Sequence, residues 1–313
     1  MTAIDLAALP AIGPAAITLG VFDGVHLGHR ALVTATRDAA RERGARAVAV
    51  VFSPHPDEVL RPGTTVHRLL PPDETLARLR AAGIDDVVEL RFDDALRSLE
   101  PDAFLAALSP AIEVRTVVMS PDSAFGRKRA GTIDRVREIG RALGFETVAV
   151  DSVAVGDVPV SSSRIRASLA DGDVAGAAAM LGTLPLLRGT VVHGDRRGRE
   201  LGFPTANLAF AYPAALPALG IYTGRVGVER RGVPARHPAL VSVGVRPTFH
   251  DDGRVLVEVY LLDWEGDLYD ATMTLELEGR LREERRFDSV EALVAQMRDD
   301  ERDARRTLGL DGG

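Results

Sequence analysis

The 313-residue chain has no cysteine, so it forms no disulfide and offers no thiolate to a metal. It also lacks a basic surplus: 38 Lys and Arg face 45 Asp and Glu, giving a net charge of −7 and a pI near 5.6. A nucleic-acid footprint normally needs a basic surface, so no nucleic-acid partner is expected. No apolar run approaches the ~20 residues that cross a bilayer, so no membrane partner is expected either. Met1–Gly13 carries Asp5 and no basic segment ahead of an apolar core, which does not read as a secretory leader. Internal repeats and low-complexity segments are missing too. The remainder, 46% hydrophobic and 27% charged, is ordinary for a globular protein long enough for two domains, and the cytoplasm is the expected compartment. A homo-oligomer stays open.

From Ala16 to Gly182, β-like and helical runs alternate. Strands are expected at Ala16–Phe22, Ala45–Phe52, Asp86–Leu90, Thr116–Met119 and Thr147–Val150, and helices at His29–Glu42, Pro72–Ala82, Pro101–Leu108 and Ile133–Leu143. This alternation predicts an α/β Rossmann-like domain whose ligand lies at the carboxyl ends of parallel strands. After Gly182 the runs Gly189–Val192, Gly220–Val228, Ala239–Val243, Val255–Leu262 and Met273–Leu281 are β-rich, with a hairpin turn read at Asp251–Arg254. They predict a mainly antiparallel β-barrel with one C-terminal helix, Ser289 to Leu308. Within that helix Asp299–Arg306 reads as a solvated face with i,i+4 pairs. The domain boundary is expected at 184/185, giving 1–184 and 185–313.

Two segments carry chemistry. The first is Gly20-Val21-Phe22-Asp23-Gly24-Val25-His26-Leu27-Gly28-His29, between a strand and a helix. His26 and His29 share one side of the first helical turn, where free N–H groups and the helix dipole suit an anion such as a triphosphate. Gly24 and Gly28 allow close backbone approach to phosphates. The segment resembles the His-x-Gly-His signature of nucleotidylyltransferases.

The second is Gly189–Leu208, in which Gly194, Gly198 and Gly202 punctuate a loop before Pro204-Thr205-Ala206-Asn207. The proline reads as a rigid turn that presents a hydroxyl and a carboxamide, oxygen ligands suited to Mg²⁺ beside phosphates. Glu258, in Leu256–Tyr260, is a lone carboxylate among apolar neighbours. Turned inward it would need a task such as accepting a proton; on an alternating strand it would face solvent.

Together these segments resemble the bifunctional bacterial riboflavin kinase/FAD synthetase family over nearly the whole chain. Further matches are Phe52–Pro56, Ser161–Arg166, Gly244–Phe249, Glu258–Asp263 and Leu281–Phe287. The resemblance implies an N-terminal nucleotidylyltransferase domain that adenylylates FMN and a C-terminal barrel that phosphorylates riboflavin, with ATP as co-substrate and Mg²⁺ as cofactor. It implies Glu258 as the base for the ribityl hydroxyl and Thr205 and Asn207 as holders of metal and phosphate. Gly194, Gly198 and Gly202 would lie at the nucleotide. In the other half, His26 and His29 would serve catalysis, and Gly20, Phe22, Asp23, Gly24, Gly28, Ser162, Ser163, Arg164 and Arg166 would bind nucleotide. Asp122, Phe125 and Arg282 would bind flavin.

Each residue also has a plainer reading. Ser162 and Ser163 are good helix caps, His55 sits between prolines in a rigid turn, and Arg196-Arg197 and Arg280–Arg286 serve as local phosphate or surface charge. One loop departs from the family pattern. Ser120-Pro121-Asp122-Ser123-Ala124-Phe125-Gly126 keeps Asp122, Phe125 and Gly126 but lacks the leading glycine, the glutamate and the first aromatic. A riboflavin kinase with an inactive or altered N-terminal domain therefore stays open, and more remotely a flavin-binding regulator without turnover.

Overall fold

Ala47 to Val51 are all buried, the signature of a strand covered on both faces. In the computed structural model, which describes residues 3–194, 198, 201–229, 232–245 and 255–310, they belong to a five-stranded parallel sheet. Its strands are β1 (Gly13–Gly20), β2 (Arg46–Ser53), β3 (Asp86–Arg91), β4 (Ile112–Met119) and β5 (Glu146–Ala149), ordered β3-β2-β1-β4-β5. The order reverses between β1 and β4, so the crevice at their carboxyl ends is the expected ligand position. Helices α1 (Leu27–Glu42), α2 (Pro56–Leu60), α3 (Pro72–Ala81), α4 (Asp94–Arg97), α5 (Pro101–Leu108) and α6 (Ile133–Leu143) connect the strands. Val33, Thr36, Ala39 and Ala40 form the buried stripe of α1, while Phe104, Leu105, Leu108, Val136 and Ile139 from α5 and α6 fill the core. A small hairpin follows, β6 (Ala154–Val155) with β7 (Val158–Pro159).

Next come α7 (Ser162–Ala170) and α8 (Val174–Leu181), then the strands β8 (Leu186–Val192), β9 (Ala206–Ala209), β10 (Gly220–Val228), β11 (His237–Val245), β12 (Val255–Leu261) and β13 (Thr272–Glu283), and last α9 (Val290–Thr307). The six strands close an antiparallel barrel in the order β10-β11-β12-β9-β8-β13. Closure leaves no unpaired edge. Alternation fills the interior with Val191, Leu208, Val226, Val241, Val257, Val259, Met273 and Leu275, each worth about 1.5–3 kcal/mol of burial. The turn read at Asp251–Arg254 lies outside the described residues, as do Asp195–Arg197, Arg199-Glu200 and 246–249.

By packing, one compact unit comprises Met1–Val66 with Pro72–Ser162, and the other His67–Pro71 with Ser163–Gly313. This division precedes 184/185 because α7 and α8 belong with the barrel. Val174 joins the barrel core, Ala218 N–H donates to Leu169 O at 2.9 Å, and Gly172 leaves room for the Arg280 guanidinium.

The C-terminal helix differs from its expectation as a solvated face. Asp300 and Ala304 are buried, Ala304 and Leu308 packing on Leu240 and Leu262. Arg282 grips Asp300 with two bonds, Nε to Oδ1 at 2.7 Å and Nη2 to Oδ2 at 2.6 Å. Among the described residues no helix is long and apolar enough to cross a membrane.

Candidate functional site

In the first unit, the chain leaves β1 at Gly20 and turns tightly before α1. Phe22, Gly24 and Val25 all have positive φ, at 57°, 86° and 42°. Such backbone is uncommon for Phe and Val and is tolerated where the surroundings over-determine it. Here Phe22 is buried, its ring 3.3 Å from where a Cβ on Gly20 would lie. Ser162 Oγ donates to the Asp23 carbonyl at 2.9 Å, a bond within this same unit that holds the turn.

His26 is the N-cap of α1, and its Nδ1 accepts the His29 N–H at 3.3 Å. An accepting Nδ1 leaves the ring proton on Nε2. The two imidazoles stack at 3.6 Å between centroids and 17° between planes, with Phe22 5.1 Å from His29. Gly28 permits this, since a Cβ there would stand 3.3 Å from the His26 ring. Burial, aided by neighbouring His26, holds the His29 pKa well below the ordinary imidazole value, and His29 Nδ1 has no hydrogen-bond partner among the described groups. The stacked histidines thus lie at a helix N-terminus beside the sheet's switch point, where free N–H groups and the helix dipole favour an anion.

The departing loop after β4 closes on itself. Ser123 Oγ accepts the Ser120 N–H at 2.9 Å, and Ser123 N–H donates to Ser120 O at 3.0 Å. This is a turn that favours proline at its second position, which Pro121 occupies. Asp122 is exposed and accepts a bond from Ser152 Oγ at 2.8 Å. Phe125 packs on Phe104, 5.4 Å between centroids, as part of the core. His55 caps α2 in a reciprocal pair with Glu58, so the segment between the prolines is a helix start.

Ser163, Arg164 and Arg166 fall in the second unit on α7, with Ser163 and Arg164 exposed and Arg166 half-buried beside Ser163. The hydroxyl of Ser162, expected at a cap, lies within the helix and is directed to Asp23 O.

In the barrel, Asn207 lies on strand β9, where the sequence suggested a turn. Ala206 and Leu208 turn into the core and Asn207 to the opposite face, so pairing with β8 and β12 outweighs the turn preference of Pro-Thr-Ala-Asn. Glu258 on β12 stands directly across from Asn207. Val257 and Val259 take the interior, so Glu258 is half-buried on the outer face rather than turned inward. Thr205 Oγ1 donates to Glu258 Oε1 at 3.4 Å.

Gly194 and Gly198 press against this group. A Cβ on Gly194 would lie 2.3 Å from Asn207 Nδ2, and one on Gly198 would lie 2.4 Å from Phe203 O and 3.2 Å from Thr205 Oγ1. Gly202 supplies a φ of 86°. Among the described residues no three His, Cys, Asp or Glu side chains gather as a metal cage. A hydroxyl and a carboxamide beside one carboxylate do fit Mg²⁺, which keeps waters and takes its remaining oxygens from nucleotide phosphate.

Arg282 is engaged by Asp300 and also donates to Glu283 O at 2.8 Å. Arg280 donates to Leu219 O and lies over Tyr222, and Arg285 lies over Phe287. In this structure these arginines contact neighbouring groups of their own unit. Ser242, across β12's other edge from Glu258, escaped the sequence reading, because only strand register brings it there.

A switch-point sheet with paired histidines, followed by a barrel carrying threonine, asparagine and glutamate on one face, defines a two-part transferase that handles nucleotides. The family model for riboflavin kinase matches residues 181–308, and that for FAD synthetase matches 10–164. The bifunctional riboflavin kinase/FMN adenylyltransferase of Pseudomonas fluorescens is 37% identical over 88% of this chain and 87% of its own. That of Listeria monocytogenes is 33% identical over 92% and 91%. A solved structure named as a macrolide-efflux protein from Streptococcus pneumoniae is similar at a TM-score of 0.88 and 31% identity, covering 97% of this chain and 99% of that one. The chain belongs to the bifunctional riboflavin kinase/FMN adenylyltransferase family.

Proposed function

We infer that this protein phosphorylates riboflavin to FMN and then adenylylates FMN to FAD, using ATP in both steps. The observation that carries the reading is the gathering of Thr205, Asn207 and Glu258 against glycines that admit no side chain. We assign phosphorylation to residues 185–313 and adenylyl transfer to residues 1–184. The cytoplasm, where ATP is abundant, is the compartment proposed.

In the first step the ribityl 5′-oxygen bonds to the γ-phosphorus of ATP, the bond to the β-phosphate oxygen breaks, and ADP leaves. Glu258 takes the hydroxyl proton. Thr205 and Asn207 would hold Mg²⁺, which when bound neutralises phosphate charge. Positioning and electrostatics supply most of the rate gain in such transfers, which suits this small set of side chains. In the second step an FMN phosphate oxygen bonds to the α-phosphorus of ATP and pyrophosphate leaves. His26 donates from Nε2 to the charge that develops there, with His29 stacked behind it. Arg164 and Arg166 are proposed to meet phosphate, and Asp122 the flavin.

The test is a chromatographic assay with riboflavin, ATP and Mg²⁺, following FMN and FAD separately. FMN followed by FAD is the expected course, and it would show that the Ser120–Ser123 turn is a working substitute for the usual loop. FMN accumulating without FAD would leave a kinase whose N-terminal half is inactive or altered in nucleotide choice. Flavin binding with no ATP consumed would overturn both activities.

A further inference from the structure

Strands β11, β12 and β9 lie side by side, and their register sets Ser242 opposite Glu258 and Glu258 opposite Asn207. Directly opposed residues of antiparallel strands project to the same face, with Cβ atoms about 4.5–5.5 Å apart. Burial agrees on all three strands. Val241, Val243, Val257, Val259, Ala206 and Leu208 face the core, while Ser242, Glu258 and Asn207 are half-buried on the other side. Ser242 therefore flanks Glu258 on the side away from Asn207. Its hydroxyl makes no hydrogen bond to Glu258 in this structure; a χ1 rotation over the spacing that register sets would bring it there. Serine also adds nothing to the core here, and a β-branched residue would suit the strand better.

We propose that Ser242 is a positioning residue of the riboflavin kinase site, its hydroxyl turning to donate to the Glu258 carboxylate from β11 while Thr205 donates from the other side. The inference rests on the kinase reading above. A carboxylate offers about four lone-pair sites, so Glu258 can accept both bonds and still receive the substrate proton. Its terminal torsion is intrinsically broad. Two donors on opposite flanks limit that rotation and keep one oxygen aimed at the ribityl hydroxyl. Ser242 transfers no proton; it acts through Glu258.

The test compares Ser242→Thr with Ser242→Val in the full-length protein. The two side chains have nearly the same shape and both suit a strand, so their difference reports the hydroxyl alone. Thr should retain near wild-type kcat for FMN formation, and Val should lose about tenfold, the effect of one hydrogen bond to a charged group. KM for riboflavin and ATP should stay unchanged in both, with matching thermal melts. Equal kcat in the two variants overturns the proposal. So does a rise in the riboflavin KM at constant kcat, which would make Ser242 a substrate contact. A wild-type protein that forms no FMN removes the kinase reading and this inference with it, whereas an active wild type with equal variants removes this inference alone.

Discussion

Glu258 differs from most carboxylates of this acidic chain in its company, a threonine hydroxyl at 3.4 Å and a carboxamide across the strand pair. Glu258→Gln keeps shape and hydrogen bonding while removing the basic site. FMN formation should fall by about a hundredfold or more, the scale of a lost general base, with the thermal melt unchanged. His29 gives a prediction in pH. Its folded pKa lies well below the ordinary value because of burial first and His26 second. Unfolded, it titrates near about 6.5, so below that pH the unfolded chain binds a proton that the native chain refuses. The neutral imidazole's contribution is thus complete above the unfolded pKa and declines as pH falls through it. Thermal melts from pH 8 to pH 5 should show wild type losing more stability at the acid end than His29→Gln. Parallel curves would contradict this.

Among the elements, the glycine loop and α9 matter most. Gly194 has an ordinary backbone but no space, since its Cβ would meet the Asn207 amide at 2.3 Å. Gly194→Ala should displace that carboxamide and cut the kinase rate at least about tenfold, read as kcat with saturating riboflavin. Helix α9 is held to the barrel by apolar burial and by the Arg282–Asp300 grip, to which Gln296 Nε2 adds a bond to Asp300 Oδ1 at 2.7 Å. Breaking a buried pair by removing one partner strands the other charge. Asp300→Ala should therefore cost about 3 kcal/mol of unfolding free energy in a urea titration. A loss within 0.5 kcal/mol, roughly the range of surface substitutions, would mean the pair is dispensable.

For the whole molecule, the groups proposed to react fall in different compact units, His26 and His29 in one and Glu258 with Thr205 and Asn207 in the other. The two activities should therefore be separable by single substitutions. Glu258→Gln should still convert supplied FMN to FAD at the wild-type rate. His26→Ala should form FMN normally and lose FAD formation by about a hundredfold. If either change abolished both products, the two chemistries would share a site.

How much of this was legible before folding depends on the range of the signal. The parallel sheet announced itself through local patterns, as at Ala47–Val51, and the histidine pair through three-residue spacing at a strand-to-helix turn. The glycines at 194, 198 and 202 and the Pro-Thr-Ala-Asn run stood out by local composition, and their place at a second site was implied by the family resemblance. Long-range pairing lay beyond such signals. Proline and asparagine favour a turn, yet Asn207 sits on a strand because β8 and β12 leave a place for one. Charges on a C-terminal helix usually face water, yet Asp300 is buried because Arg282, 18 residues earlier, meets it there. The sequence by itself determined which side chains and local turns are present, since these depend on neighbours a few residues away. Only the tertiary structure decided that Ser242, Glu258 and Asn207 stand in one row, because strand register is set by packing of the whole barrel.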